Sequence, residues 1–193
     1  MIKTTLSLLV ASTLIGCGVA EKEKLKDKVK VNKIATTQLK TEGDTITCDS
    51  CNTQEKMALS AFQKRGITDK YALATLMGNI KHESQFKPDI CEGGSRVPYE
   101  HCHSGGFGLI QWTTVNRYDG LGRYAKNNSC HASTTECQLG YLFTEYQWKK
   151  VEPKFKTPGK SIDWYMSHAY TWLGWGIHGH RTHYSHQYLK VLS

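Results

Sequence analysis

Between Leu73 and Glu83 the apolar positions fall three or four residues apart: Leu73, Leu76 and Ile80, with Glu83 next in the series. Residues spaced this way stack on one face of an α-helix, so the stretch is committed to a helix with one buried stripe. The stripe then ends in a carboxyl. Burial disfavours the charged form of an acid, and so does the negative end of a helix dipole. A carboxyl placed there holds its proton to higher pH and is able to donate it. Cleaving a glycosidic bond requires such a group. Taken alone, Glu83 reads more simply as a polar helix end pointing to water. The rest of the chain decides between the two.

Helical spacing recurs along the chain. Thr53 is placed to cap a helix over 54–64, with Met57, Ala58, Ala61 and Phe62 facing inward and Gly66 ending it. Thr68 is placed to cap the next, over 69–84, which stops before Pro88. Residues 89–108 are polar and Gly-rich, and read as an irregular loop or a small hairpin. Thr113 or Thr114 opens a helix through Tyr124, weakened by Gly120 and Gly122. Ser133-Thr134-Thr135-Glu136 is a capping-box pattern, and behind it Leu139, Leu142, Phe143 and Tyr146 share one face. Ser161 starts a helix with Ile162, Tyr165, Met166, Ala169, Tyr170 and Leu173 facing in, and a last short helix covers 184–191. Strand signals are weak throughout, so the fold class is mainly α.

The two ends of the chain differ in composition. Met1-Ile2-Lys3 precedes an apolar run from Leu6 to Ile15, which is too short to span a bilayer, since spanning takes about 20 apolar residues. It reads as a signal-peptide core. Its end, Leu14-Ile15-Gly16-Cys17, resembles the bacterial lipobox. That resemblance implies cleavage before Cys17 and lipidation of Cys17, with a membrane held through acyl chains. Gly18 follows where an Asp would signal inner-membrane retention. In a Gram-negative cell the expected location is the outer membrane, facing the periplasm, with the cell surface as the alternative. Residues 21–40 are Lys-rich, contain Glu and Asp, and read as a solvated tether. Every Trp, Tyr and Phe lies after Cys48. The expected organisation is therefore a signal peptide over 1–16, a lipidated start and tether over 17–47, and one domain over 48–193, a length that suits a single core.

Removing Cys17 from the seven cysteines leaves six: Cys48, Cys51, Cys91, Cys102, Cys130 and Cys137. An even number in an exported chain predicts a disulfide framework. Proximity favours Cys91 with Cys102 and Cys130 with Cys137, leaving Cys48 with Cys51. The alternative for Cys48-Asp49-Ser50-Cys51 is a redox dithiol, although no thioredoxin-like pattern surrounds it. The net charge of +8 calls for an anionic partner. For an exported chain that partner is peptidoglycan with its carboxylate-bearing stems, and not nucleic acid.

Two motifs decide the reading of Glu83. Gly78-Asn79-Ile80-Lys81-His82-Glu83-Ser84 is followed, one loop later, by Gly105-Gly106-Phe107-Gly108-Leu109-Ile110-Gln111-Trp112-Thr113. In this order they resemble the phage tail lysozyme family, most strongly over Leu76 to Tyr118. The resemblance implies a lysozyme-like α+β fold, with a small hairpin or irregular loop region after the helix that bears the acid. It also implies cleavage of peptidoglycan glycan strands, by a lysozyme or a lytic transglycosylase type of reaction. Glu83 would be the general acid. Ser84, Gly108, Gln111, Tyr118 and Tyr170 would line or shape the substrate site. Trp112 and Trp172 read as core residues.

A glycosidase usually pairs its acid with a second carboxylate. Asp89, Glu92, Glu100 and Asp119 follow Glu83, and Glu92 and Glu100 sit in the Cys91–Cys102 loop, near where the resemblance to lysozyme-like folds implies a second acid. Each also reads as a solvated loop charge. His178, His180, His183 and His186 crowd the C-terminus without Cys or acidic companions, and His82-Glu83-Ser84-Gln85 lacks the second His of a zinc helix. No metal or cofactor is expected, and this tail reads as solvated and basic. It departs from the family pattern. A monomer is expected. The rival readings are a non-catalytic wall-binding or exclusion lipoprotein on the same fold, and a redox or metal-binding periplasmic protein.

Overall fold

The computed structural model describes residues 45–103 and 105–193. The expected signal peptide, the lipidation site Cys17 and nearly all of the tether lie outside the described residues. Seven α-helices make up the domain: α1 (Thr53–Lys64), α2 (Lys70–Ser84), α3 (Val115–Asn127), α4 (Thr135–Leu142), α5 (Tyr146–Phe155), α6 (Ile162–Leu173) and α7 (Arg181–Val191). A single 3-10 turn covers Tyr99–His101. The mainly α expectation holds. The hairpin does not appear: among the described residues, 89–108 carries two isolated antiparallel bridges, Ile90 to Arg96 and Cys91 to Phe107, and no strand. The stretch is too rich in Gly and too short of β-branched residues to extend a ladder.

Helix α2 is the centre. Every residue from Ala72 to Ile80 is buried, so the helix is covered on all sides rather than on one stripe. Helices α1, α6 and α7 pack on it, with α7 lying closest along it. Gly78 makes that approach possible. A Cβ there would lie 2.4 Å from the Ser185 backbone nitrogen and 2.7 Å from its Cα, so any side chain would push α7 away. A second aromatic layer joins α1, α5 and α6: Trp148 stacks on Phe155 at 5.9 Å and meets Trp172 edge-on at 5.1 Å. Trp112 and Trp172 are buried, in line with the core reading.

The caps set the entries of the helices. Asn52, not Thr53, caps α1, and Glu55 closes a reciprocal capping box with it. Asp69, not Thr68, caps α2 through a 2.9 Å bond from the Ala72 N–H. Ser161 caps α6 as expected. The expected single face through Leu139, Leu142, Phe143 and Tyr146 is also split. Helix α4 stops at Leu142, α5 restarts from Glu145, and Tyr146 is 74% exposed. Spacing carried the face one turn too far because nothing local to Phe143-Thr144-Glu145 breaks a helix.

The three disulfides are the pairs favoured by proximity: Cys48–Cys51, Cys91–Cys102 and Cys130–Cys137. At the domain's edge Thr47 and Ser193 exchange backbone hydrogen bonds of 2.7 and 3.0 Å, which ties the start of the described chain to its end.

Candidate active site

Glu83 lies in the last turn of α2, with its side chain 13% exposed. The helix then stops abruptly. Gln85 (φ 54°) and Phe86 (φ 60°) are both left-handed, and Phe86 folds into the core. Two successive non-glycine residues in that region store strain, on the order of 1–3 kcal/mol each, which the surrounding packing must hold. Ser84 is part of that packing. Its hydroxyl donates to the Leu109 carbonyl at 2.9 Å and accepts from the Phe86 N–H at 3.1 Å. Ser84 therefore joins the end of the acid-bearing helix to the Gly-rich turn, and does not face a ligand.

The Gly-rich turn is held from below by Gln138 of α4, which is fully buried. Its carboxamide oxygen accepts from the Leu109 N–H at 2.8 Å, while its nitrogen donates to the Ala132 and Pro88 carbonyls at 2.7 and 2.5 Å. Gly108 (φ 72°) leaves the room for it, since a Cβ would lie 2.5 Å from that carboxamide. Gln111 is also left-handed, at φ 52°, and its amide donates to the Gly108 carbonyl at 3.0 Å. The turn is thus set by its own side chains before any ligand arrives.

Tyr118 of α3 stacks on Tyr99 at 4.4 Å and donates its hydroxyl to the Tyr99 and Cys102 carbonyls, the latter at 3.0 Å. It holds the Cys91–Cys102 loop in place. Burial, helped by the neighbouring Tyr99, pushes its hydroxyl up to about 12. Beside it a cavity of about 180 Å³ opens between Cys102, His103, Gly105, Thr113 and Asp119. Tyr170 is 54% exposed on α6 and packs edge-on against Trp175 at 5.2 Å.

Neither loop carboxylate is among the groups that shift Glu83. Glu92 is exposed, and its carboxylate accepts from the Gly106 N–H at 3.1 Å, latching the loop to the Gly-rich turn. Glu100 is exposed on the 3-10 turn. The groups that reach Glu83 are instead two arginines. Arg181, the first residue of α7, donates to its carboxylate. Arg117 of α3 acts on it at longer range, while forming a bidentate pair of 2.7 and 2.9 Å with the buried Glu145 that opens α5. Burial is the strongest influence on Glu83 and raises its pKa. The arginines pull it back, and the balance leaves the carboxyl above its ordinary value of 4.5.

Arg181, Glu145 and Gln138 were not singled out in the sequence. The C-terminal residues were expected to form a solvated basic tail, yet Arg181 and Ser185 are buried and α7 begins three residues earlier than expected. A signal was available: Arg181, Ser185, Tyr188 and Leu192 sit four, three and four apart, a helical face with two polar members. Glu145 carried no signal, because its role follows from the break between α4 and α5. Among the described residues no group of three or more His, Cys, Asp or Glu is arranged to hold a metal ion.

Residues 53–173, well over half the chain, match the phage tail lysozyme family, and the chain belongs to it. No curated protein and no solved structure matches the chain significantly. The family is one of lysozyme-like, peptidoglycan-cleaving proteins. The match ends at Leu173, so Trp175 and Arg181 come from outside it.

Proposed function

We propose that the protein cleaves the glycan strands of peptidoglycan with Glu83 as its general acid. The observation that carries this is the state of Glu83: burial lifts its pKa, so it holds a transferable proton at higher pH than an open carboxylate does. Glu83 protonates the glycosidic oxygen between N-acetylmuramic acid and N-acetylglucosamine, and the positive charge that develops on the sugar is met by the nucleophile. Ser84, Gln138 and Gln111 keep the acid and the Gly-rich turn in register.

A second reading of the reaction type rests on the charges around Glu83. Those that bear on it are arginines, with no carboxylate among them. One carboxyl then serves first as acid and then as base, which suits attack by the sugar's own 6-hydroxyl and an anhydro end, as in lytic transglycosylases. The lipobox-like Leu14-Ile15-Gly16-Cys17 supports export and a lipid anchor, and a tether of about 30 residues reaches on the order of 30 Å as a flexible coil, enough to bring the domain to the wall.

Digestion of purified sacculi, followed by mass analysis of the fragments, tests this. The native chain releases muropeptides, and the mass of their ends separates hydrolysis from transglycosylation. Glu83→Gln abolishes release. Equal release by that variant removes Glu83 from the mechanism and leaves the wall-binding alternative. Globomycin-sensitive processing, together with a mass gain at Cys17, tests the anchor.

A further inference from the structure

The segment after the family match delivers a cation to the acid. Gly174 ends α6 in the left-handed conformation, and the chain returns through Trp175 to α7, whose close seat on α2 is fixed by Gly78. Arg181 sits at the head of that helix with its side chain 4% exposed. Its guanidinium is held on several sides. It donates to the Ile177 and His178 carbonyls at 2.8 Å each, lies 4.6 Å over the Trp175 ring, and donates to Glu83. An arginine fixed in this way stays charged and has no freedom to follow a substrate.

We infer that Arg181 is the positioning residue of Glu83: it aims the carboxyl and stabilises the carboxylate that Glu83 becomes once its proton has left. The inference rests on Glu83 being the acid. In the first step the proton moves from Glu83 to the glycosidic oxygen, and the bond from that oxygen to the anomeric carbon breaks, its electron pair going to the oxygen. Glu83 is then a buried carboxylate, a costly species without a partner. Arg181 is already in place, so no reorganisation is needed when the charge forms. In the second step water or a sugar hydroxyl attacks the anomeric carbon and its proton returns to Glu83. A site with one carboxyl needs that carboxyl stable in both forms. Burial favours the acid form and Arg181 favours the base form.

The charged and titratable groups facing Glu83 are few. Arg181 comes from α7, and Arg117 from α3 with its charge matched by Glu145. His82, adjacent on α2, is held below its ordinary range by burial and by the charges of Arg181, His180 and His178. Removing Arg181 therefore takes away the nearest counterweight to burial. The Glu83 midpoint moves up, and the alkaline limb of kcat/KM moves up with it, because the acid stays protonated further into the alkaline range.

The test is a carboxyl-carbon NMR titration of Glu83 in the full-length protein, run beside pH–rate profiles on sacculi, for Arg181→Gln and Arg181→Lys. The expected result for Arg181→Gln is a raised midpoint, a raised alkaline limb and a kcat lower by about 10²-fold. Lysine restores part of both. If Arg181→Gln does not fold, Arg181→Lys and Trp175→Leu carry the test, the latter loosening the guanidinium and giving a smaller upward move. A midpoint that stays in place in a folded variant overturns the inference, and so does a kcat loss with an unmoved limb, which marks a structural role only. A midpoint that moves while Glu83→Gln still releases muropeptides leaves the ion pair standing but overturns both the acid and its positioning residue.

Discussion

Two largely enclosed carboxyls meet α7, and their pKa values are shifted in opposite directions. Glu55 on α1 accepts from the Tyr188 hydroxyl at 2.5 Å, from the Asn52 N–H at 2.7 Å and from Lys81 at 3.2 Å. Burial alone would raise its pKa, but these donors together outweigh burial and hold it below 4.5. Glu83 on α2 receives Arg181 and the distant Arg117, burial wins, and it stands above 4.5. The difference is one of supply. A carboxylate saturated with donors is fixed as an anion and works as structure. A carboxyl with fewer donors binds its proton more tightly, the property that the proposed role of Glu83 as general acid uses. The same helix, α7, feeds both, with Tyr188 at one carboxyl and Arg181 at the other.

The contrast breaks most sharply under amide substitution. Glu83→Gln is expected to lower muropeptide release by about 10²- to 10⁴-fold with the fold intact, whereas Glu55→Gln keeps the chemistry. Fragment mass analysis on both variants checks this. Comparable losses in the two would remove the distinction. In stability the order reverses. Glu55→Gln leaves Lys81 and the Tyr188 hydroxyl facing a neutral group and costs about 2–4 kcal/mol, read from urea midpoints, while Glu83→Gln changes little at neutral pH. Tyr188→Phe sharpens the comparison by deleting one donor from the saturated carboxyl. It costs about 1–2 kcal/mol and raises the Glu55 midpoint, which a carboxyl-carbon titration follows.

The smallest effect is in the pH dependence of stability, and its signs are opposite for the two groups. Glu55 binds its proton more weakly folded than unfolded. Its contribution is complete above the ordinary value of 4.5 and is lost as pH falls through its depressed folded value. Glu83 binds its proton more tightly folded. Its contribution is complete below 4.5 and is lost as pH rises through its elevated folded value. Thermal midpoints followed from acid to neutral pH should lose part of their acid-side slope in Glu55→Gln, and part of the decline above 4.5 in Glu83→Gln. Glu152 adds to the acid side in every variant, since Arg65 and Lys156 outweigh its burial and hold it low.

The helices were legible because their signals are local. Spacing found α2 and α6, and the caps lay within one residue of where side-chain chemistry put them. The Gly-rich turn and the helix end that bears Glu83 were legible as a pair of motifs. Ser84, Gln111 and Tyr118 are expected to line or shape the substrate site, and each makes a hydrogen bond to a backbone carbonyl that fixes its place around Glu83. A polar side chain looks the same in sequence whether its partner is a sugar or a carbonyl. Gln138 and Arg181 were missed for a related reason: each serves residues far away in the chain, and no periodicity records that.

By itself, the sequence determined a mainly α domain and a carboxyl at the end of an apolar stripe, and it favoured three proximal disulfides. Each follows from residues a few positions apart, where helix geometry and short loops leave little choice. Only the tertiary structure decided which carboxyl has its pKa raised and what stands next to it. That depends on how much water the fold removes and how many donors it supplies, and at Glu83 the nearest donor comes from a helix nearly a hundred residues downstream.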